Sequence, residues 1–159
     1  MSTQGRENLP KESDRYLSFI LGKEIYAIPL LRVKEVIALP EVTSIPFAPA
    51  HFLGLMNLRG QVISVVDFRL RLGIKPTVSA ETAVIICALS GASLGVVVDS
   101  IESVIRPLAH ELSNTPETHS KSADYIQQVF RKDNSMILLI DIAKAFGMED
   151  LALAARSVA

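Results

Sequence analysis

Two aspartates stand at matching positions of two similar segments, where a pair of carboxylates could act together as a catalytic acid and base. Asp67 ends an apolar run within the segment 54–73, and Asp141 stands at the matching place within the segment 125–147. In an aspartic protease, two such lobes each supply one carboxylate to a shared proton. That enzyme needs a small residue and a glycine after each aspartate, whereas the sequences here read DFR and DIA. Each aspartate is therefore predicted to cap the short helix that follows it.

The other reactive side chains form no recognisable catalytic or metal site. His51, His110 and His119 have no second ligand at helical or turn spacing. Cys87 lies in the apolar run AVIICAL, where a thiol behaves as a small hydrophobic group. The sequence contains no GxSxG nucleophile motif, phosphate-binding loop or GxGxxG motif. We therefore predict a protein that is not an enzyme and that has no catalytic residues, metal or cofactor.

Composition narrows the class of protein further. The 159 residues are 49% hydrophobic, which is enough for a buried core, and the net charge of −1 offers no basic surface for nucleic acid. Residues 82–98 carry no charge, but SGAS at 90–93 interrupts them and favours a hairpin over a membrane span. Residues 1–15 are polar, and one cysteine cannot form an internal disulfide. These features predict a cytoplasmic protein.

Two similar units position the paired aspartates. Gly73 matches Gly147, and the apolar residues of VKEVI at 33–37 recur in SIESVI at 100–105. Many short strands with Gly or Pro at their joints predict a mainly all-β fold of two small barrels, related by a pseudo-dyad and packed side by side. The predicted organisation is a disordered tail (1–15), lobes at roughly 16–75 and 82–147 between which strands can be exchanged, and a helical tail (148–159).

Local patterns predict the elements of each unit. Hairpins are expected from 16 to 29, from 52 to 68 across Arg59 and Gly60, and from 83 to 99. LLRVKEVI predicts one helical turn before a strand, and VTSI at 42–45 predicts a short strand between prolines. RLRL and AKAF predict short helices, each ended by a glycine. The polar stretch 107–122 is expected to be an exposed loop.

The motifs NLRG at 57–60, VVDFR at 65–69 and VKEVI at 33–37, in this order and spacing, resemble the CheW family of bacterial chemotaxis coupling proteins. The resemblance extends from Tyr16 to Phe146. It implies two five-stranded barrels resembling SH3 domains, and a non-catalytic adaptor that couples chemoreceptors to the histidine kinase CheA. Phe68 stands where the family usually has Leu, and Met56 where it usually has a β-branched or small residue.

The resemblance implies a receptor-binding groove between the lobes, lined by Leu17, Leu30, Val33, Val36, Val98 and Ile101. A helical turn would place Val33 and Val36 on one face, where they could accept the apolar stripe of a receptor helix. The same residues could equally form the core between the lobes. The sequence alone leaves both interpretations open.

The resemblance also implies a kinase-binding surface on the first barrel, formed by Val42, Ile45, Phe47 and Gly54. Its expected partner is the SH3-like regulatory domain of a CheA-type kinase, although these residues could instead cap the end of the barrel. Gly54 is expected to allow a close backbone approach. The resemblance further pairs Arg59 with Glu35, in a contact or supporting role.

Other functions remain open at this stage. CheW-like adaptors also serve twitching and gliding motility, and the sequence does not separate these pathways from chemotaxis. A third possibility is a small β-barrel module that binds a peptide or nucleic acid. Single-strand binding normally needs aromatic stacking platforms, and only 6% of these residues are aromatic. The protein is expected to be a monomer when isolated and to reach the inner membrane only through receptors.

Overall fold

The computed structural model of the chain describes residues 14–89, 91–114 and 124–146. Strands of two β-sheets and a few helical turns account for most of these residues. The strands are β1 (Tyr16–Leu21), β2 (Glu24–Pro29), β3 (Val33–Ala38), β4 (Phe52–Leu58), β5 (Gln61–Asp67), β6 (Ala83–Leu89), β7 (Ala92–Val98), β8 (Ser100–Ile105), β9 (Leu112–Asn114), β10 (Ile126–Lys132) and β11 (Ser135–Ile140). The helical elements are short helices at Phe68–Arg71 and Ile142–Ala145 and 3-10 turns at Leu30–Arg32 and Ala109–Glu111.

The strands form two sheets, which confirms the predicted mainly β fold. The six-stranded sheet has the order β8-β1-β2-β11-β10-β9, and the five-stranded sheet has the order β3-β6-β7-β5-β4. Each sheet thus contains strands from both halves of the chain. The hairpin β1-β2 joins strands of the second half, and β6-β7 joins strands of the first, because β1 pairs with β8 and β3 pairs with β6.

Equivalent strand pairs relate the two sheets by a pseudo-dyad. β5 pairs with β7 in parallel, with Val65 opposite Gly95, and β11 pairs with β2 in parallel, with Leu139 opposite Ala27. The six-stranded sheet exceeds the expected five strands because the three-residue β9 adds to β10. β9 and a 3-10 turn also occupy part of the stretch 107–122, which was wrongly expected to be loop throughout.

In the described part of the chain, three clusters of buried hydrophobic residues hold the strands in these two sheets. Met56, Ile63 and their neighbours fill the five-stranded sheet, and Phe130 and Ile137 lie in the cluster of the six-stranded sheet. A third and larger cluster, here called the inter-sheet core, contains residues of both sheets. Strand β6 alternates between two clusters, with Ile86 in one and the residues on either side of it in the other. Burial on both faces accounts for the unbroken apolar run of β6.

The inter-sheet core also settles the environment of the lone thiol. Cys87 is fully buried there, and burial raises the pKa of its thiol to about 12. In the same core, Phe68 at the start of the helix after β5 and Phe146 at the end of the helix after β11 meet edge to face, with ring centroids 5.2 Å apart. The thiol therefore packs as the small hydrophobic group that the sequence predicted.

The sequence correctly predicted the residues that begin both short helices and the glycine that follows the first one. Asp67 accepts the backbone N–H of Arg69 at 2.9 Å, and Asp141 accepts that of Ala143 at 2.9 Å, so both aspartates cap helices as predicted. Gly73 follows the first helix with a φ of 76°. Gly147, expected to end the second helix, and the tails 1–13 and 148–159 lie outside the described residues.

Two local predictions were wrong. VTSI at 42–45 is not a strand, because only Thr43 bridges to Leu55, and the flanking prolines lack the N–H groups that would extend the ladder. Val33 and Val36 do not lie on a helical turn, since the turn ends at Arg32 and both valines belong to β3.

Candidate functional site

Arg59 and Glu35 form a two-pronged ion pair on the surface of the five-stranded sheet. The two terminal guanidinium nitrogens of Arg59 donate to Oε1 and Oε2 of Glu35 at 2.6 and 2.9 Å. The side chain of Arg59 remains 72% exposed, against 30% for Glu35. Such a planar pair fixes the direction of the guanidinium, so its remaining donors face solvent at a defined place.

The turn between β4 and β5 holds Arg59 in position. Arg59 and Gly60 have φ values of 52° and 86°, and left-handed residues at both central positions are typical of a tight type I′ turn. The side chain of Asn57 supports the turn by accepting the Gly60 N–H at 2.9 Å. Glu35 comes from the middle of β3, so residues distant in sequence meet at this pair.

The charges of the pair reinforce each other. The hydrogen bonds from Arg59, together with its positive charge, hold the pKa of Glu35 below its ordinary value despite some desolvation. The same hydrogen bonds and the negative charge of Glu35 raise the pKa of Arg59. Both groups are therefore ionised at neutral pH.

A shallow depression of about 240 Å³ adjoins the ion pair. Lys34 crosses it and donates to the hydroxyl of Ser93 at 2.6 Å. The depression combines charged and polar rims with an apolar floor, and is lined by Lys34, Glu35, Leu58, Arg59, Gln61, Ile63, Ile86 and Ser93. This mixture suits a protein contact better than a reaction centre.

The six residues expected to line a receptor groove all lie in or near the inter-sheet core, but they differ in exposure. Leu17 is 6% exposed and Val98 is fully buried. Leu30, Val33 and Ile101 are half-buried against the same core, and Val36 is 40% exposed. Only the latter four therefore offer surface to a partner, while Leu17 and Val98 support them from inside.

A β-bulge places Val33 and Val36 on one face. The register of β3 against β6 shifts between Val33 and Glu35, so Val33 lies opposite Cys87 and Val36 lies opposite Ile85. Cys87 and Ile85 both point into the inter-sheet core. Since directly opposed residues share a face of the sheet, the two valines do so as well. The sequence predicted the common face and gave the wrong reason for it.

The four residues of the expected kinase-binding surface fall into two groups. Ile45 is 37% exposed, and Phe47 is fully exposed at a φ of 64°. Val42 instead packs against the core of the five-stranded sheet. The ring of Phe47 is thus held outside the fold on a backbone conformation that such residues rarely adopt.

Gly54 has the steric role that the sequence predicted. Its φ is 144°, and a Cβ atom there would lie 1.9 Å from the carbonyl oxygen of Thr43. This closeness follows from two backbone hydrogen bonds of 2.8 Å between Thr43 and Leu55. Gly54 thus lets the segment before Phe47 lie directly on β4.

The family model of the CheW-like domain matches residues 15–150, which include all three motifs and both sheets. The chain belongs to the CheW-like domain family. It is 30% identical to the chemotaxis protein CheW of Klebsiella aerogenes, over 87% of this chain and 84% of that protein. It is 28% identical to that of Treponema pallidum, over 88% of this chain and 86% of the relative.

A solved structure agrees with this assignment. The scaffolding protein TtCheW of Thermoanaerobacter tengcongensis superposes with a TM-score of 0.78 at 27% identity, covering 87% of this chain and 95% of that one. Within the described ranges, no helix is both long and apolar enough to cross a membrane. The same residues contain no group of three or more His, Cys, Asp or Glu able to hold a metal ion.

Sequence reasoning missed two residues of this CheW-like domain. Val104 is 54% exposed and lies opposite Leu17, on the inter-sheet face of β8. In the repeat of VKEVI at 33–37 as SIESVI at 100–105, Val104 matches Val36, and this match could have predicted its position. Arg69 stands inside the motif VVDFR and is 2% exposed, with both Asp67 and Asp99 as ion-pair partners. No local sequence pattern predicts that Arg69 pairs with Asp99.

Proposed function

We propose that this CheW-like domain is a non-catalytic adaptor that couples chemoreceptors to a CheA-type histidine kinase, so that receptor state controls autophosphorylation. The match of the family model to residues 15–150 carries this proposal. The names of the relatives support the pathway, since several are chemotaxis proteins and one is a scaffolding protein. The domain would act in the cytoplasm and be recruited to receptor arrays at the inner membrane, and it would be a monomer when isolated from its partners.

The receptor surface is formed by the edge of the inter-sheet core, and the ion pair lies beside it on the other face of β3, where Glu35 is opposite Ile86. Val33 and Val36 share one face of β3, and Ile101 continues the apolar surface from the other sheet. An amphipathic receptor helix would place its apolar stripe on these side chains. The exposed guanidinium of Arg59 would then bind carbonyl or carboxylate oxygens at the rim of this contact.

The kinase surface is formed by the segment before β4. Phe47 and Ile45 project from it, while Gly54 and Val42 fix its position on the five-stranded sheet. The SH3-like regulatory domain of the kinase is the proposed partner. A large apolar side chain at the centre of an interface commonly supplies much of its binding energy, so Phe47 is the expected anchor.

Titration calorimetry of the full chain against a CheA regulatory domain and, separately, a receptor-tip fragment tests the proposal. We expect binding to both, with Phe47→Ser weakening only the kinase contact and Val36→Lys only the receptor contact. Val78→Lys is the matched control for Val36→Lys, because Val78 is 82% exposed in the linker between the units. Binding of the unmodified chain to neither partner would overturn the adaptor function.

A further inference from the structure

Arg69 is a buried cation with four separate hydrogen-bond contacts. Its side chain is 3% exposed. Nε and one terminal nitrogen donate to the two oxygens of Asp67, each at 3.0 Å. The other terminal nitrogen donates to Oδ1 of Asp99 at 2.9 Å and to the carbonyl oxygen of Thr77 in the linker. These partners hold the guanidinium in one orientation.

Asp99 extends this network from one sheet to the other. It lies between β7 and β8, where the chain passes from the five-stranded to the six-stranded sheet. Its Oδ2 accepts the N–H of Gly22, in the turn between β1 and β2, at 2.6 Å. Its own N–H donates to the carbonyl oxygen of Ile20 at 3.1 Å. Arg69, on the five-stranded side, is thereby tied to the first hairpin of the six-stranded sheet.

The pseudo-symmetric crossing from β2 to β3 is held differently, by a backbone hydrogen bond from the N–H of Leu30 to the carbonyl oxygen of Arg15 at 2.9 Å. The pseudo-dyad places Leu31 at the position of Asp99, and Leu31 is 61% exposed. Ala143 stands at the position of Arg69, because Asp141 matches Asp67. One crossing between the sheets is therefore fixed by directional, charged hydrogen bonds. The other combines that backbone hydrogen bond with the packing of Leu30 against the inter-sheet core.

We propose that Arg69 is a positioning residue that sets the relative orientation of the two sheets through Asp99. This orientation determines how Val36, on one sheet, faces Ile101, on the other. The consequence for partner binding rests on the proposed function, whereas the orientation itself does not. A fully bonded buried polar network specifies one arrangement, while an apolar interface alone permits several.

Distance measurements between the sheets test this proposal. Spin labels on Val62→Cys and Met136→Cys report on the five-stranded and six-stranded sheets, and both positions are exposed. Buried Cys87 is not expected to react with the label. Double electron-electron resonance should give one narrow distance distribution for the labelled chain, and a broader or shifted one when Asp99→Ala is added. Amide exchange of Gly22 should accelerate about tenfold or more, because its bond to a carboxylate is lost.

Asp141→Ala is the matched control. Its carboxylate also bonds backbone N–H groups, those of Ala143 and Lys144, but these lie on its own helix. We expect this variant to keep the narrow distribution and the slow exchange of Gly22. If Asp99→Ala does not fold, Asp99→Asn retains one acceptor oxygen and should broaden the distribution to a smaller extent.

An unchanged distribution in folded Asp99→Ala would overturn the proposal, since the network would then add stability without setting orientation. Receptor-fragment affinity should fall in parallel with the broadening. Retained affinity despite a changed distribution would overturn the link to binding. Failure of the unmodified chain to bind either partner would instead contradict the proposed function, and it would leave the distance result standing.

Discussion

The turn between β4 and β5 and the turn between β10 and β11 have nearly the same backbone conformation, but their equivalent residues carry opposite charges. Arg59 has a φ of 52°, and Asp133, at the equivalent position, has a φ of 56°. Arg59 meets Glu35 on β3, whereas the position matching Glu35 on β8 is Ser103, which bonds Ser18 instead. The shared fold therefore determines where a left-handed residue projects. The ion pair is an addition to the first unit alone.

The ends of β5 and β11 show the same division between shared and added features. Asp67 and Asp141 both cap short helices through backbone N–H groups. Only the first aspartate also binds an arginine, because Ala143 occupies the position of Arg69 in the second unit. Repeated residues thus maintain local structure in both units. Residues that differ between the units, such as Arg59 and Arg69, make ion pairs between distant parts of the chain.

The largest predicted effect concerns another position at which the units differ. Gly54 and its counterpart Gln128 both follow a register shift and both lie beside a second segment, Thr43 in the first unit and β9 in the second. At Gly54 that segment is so close that a Cβ atom would lie 1.9 Å from the carbonyl oxygen of Thr43. Gly54→Ala should destabilise the fold by about 2–6 kcal/mol, the sum of backbone strain and overpacking against Thr43. Urea unfolding monitored by circular dichroism measures this change.

Gly73→Ala is the control for the strain component. Gly73 also has a positive φ of 76°, but a Cβ atom there would meet nothing within 4 Å. This variant should lose only about 1–3 kcal/mol. Equal losses for Gly54→Ala and Gly73→Ala would show that the contact with Thr43 is unimportant.

Arg69→Ala gives the first unit the residue of the second. We expect a loss of about 3–5 kcal/mol, because Asp67 would remain buried without its cation. Arg71→Ala is the matched control: Arg71 is exposed, and its Nε donates to the carbonyl oxygen of Ala145 at 2.9 Å. Its loss should cost about 1 kcal/mol. Similar urea midpoints for the two variants would contradict a structural role for the buried network.

Features with local causes could be predicted from the sequence. The hairpin across Arg59 and Gly60 and the two aspartate caps depend on residues within a few positions of one another. An exchange of strands between the lobes was expected, but the sequence could not predict which hairpin joins which sheet, because both halves carry the same apolar pattern. Pairing β1 with β8 or with β3 would satisfy that pattern equally well, and only packing of the whole inter-sheet core decides between them.

The candidate site was predictable to the same degree. The resemblance indicated the pair of Arg59 and Glu35, which the structure brings together. The bulge that aligns Val33 with Val36 depends on the register of β3 against β6, which the sequence of β3 does not reveal. Arg69 was missed because its second partner, Asp99, comes from a distant strand end.

Variants that exchange the charges of Arg59 and Glu35 test whether receptor binding needs the ion pair or the guanidinium of Arg59 itself. Arg59→Asp copies the second unit and should weaken receptor-fragment binding about tenfold or more, with little loss of stability because Arg59 is exposed. The double variant Arg59→Glu with Glu35→Arg restores an ion pair of reversed orientation. We expect it to bind as weakly as the single variant, since the donors of Arg59 no longer face the partner. Calorimetric titration gives both affinities.

Asp133→Arg is the control at the equivalent turn of the second unit. It introduces an arginine on nearly the same backbone conformation, where Ser103 offers no carboxylate. Receptor binding should remain unchanged. Recovery of full affinity in the charge-exchanged double variant would assign the function to the pair and not to the guanidinium of Arg59.

The smallest predicted effect is the pH dependence of this pair. Arg59 lowers the pKa of Glu35 in the folded chain, chiefly through its hydrogen bonds, below the value of about 4.3 expected when unfolded. The pair therefore stabilises the fold fully above that unfolded value, and the contribution is lost as the pH falls through the folded pKa. The contribution is small because solvent reaches both side chains. An NMR titration of the Glu35 carboxyl should show its pKa rising in Arg59→Ala and in about 1 M salt, which screens exposed charges. An identical titration with and without Arg59 would mean that the two-pronged contact does not persist in solution.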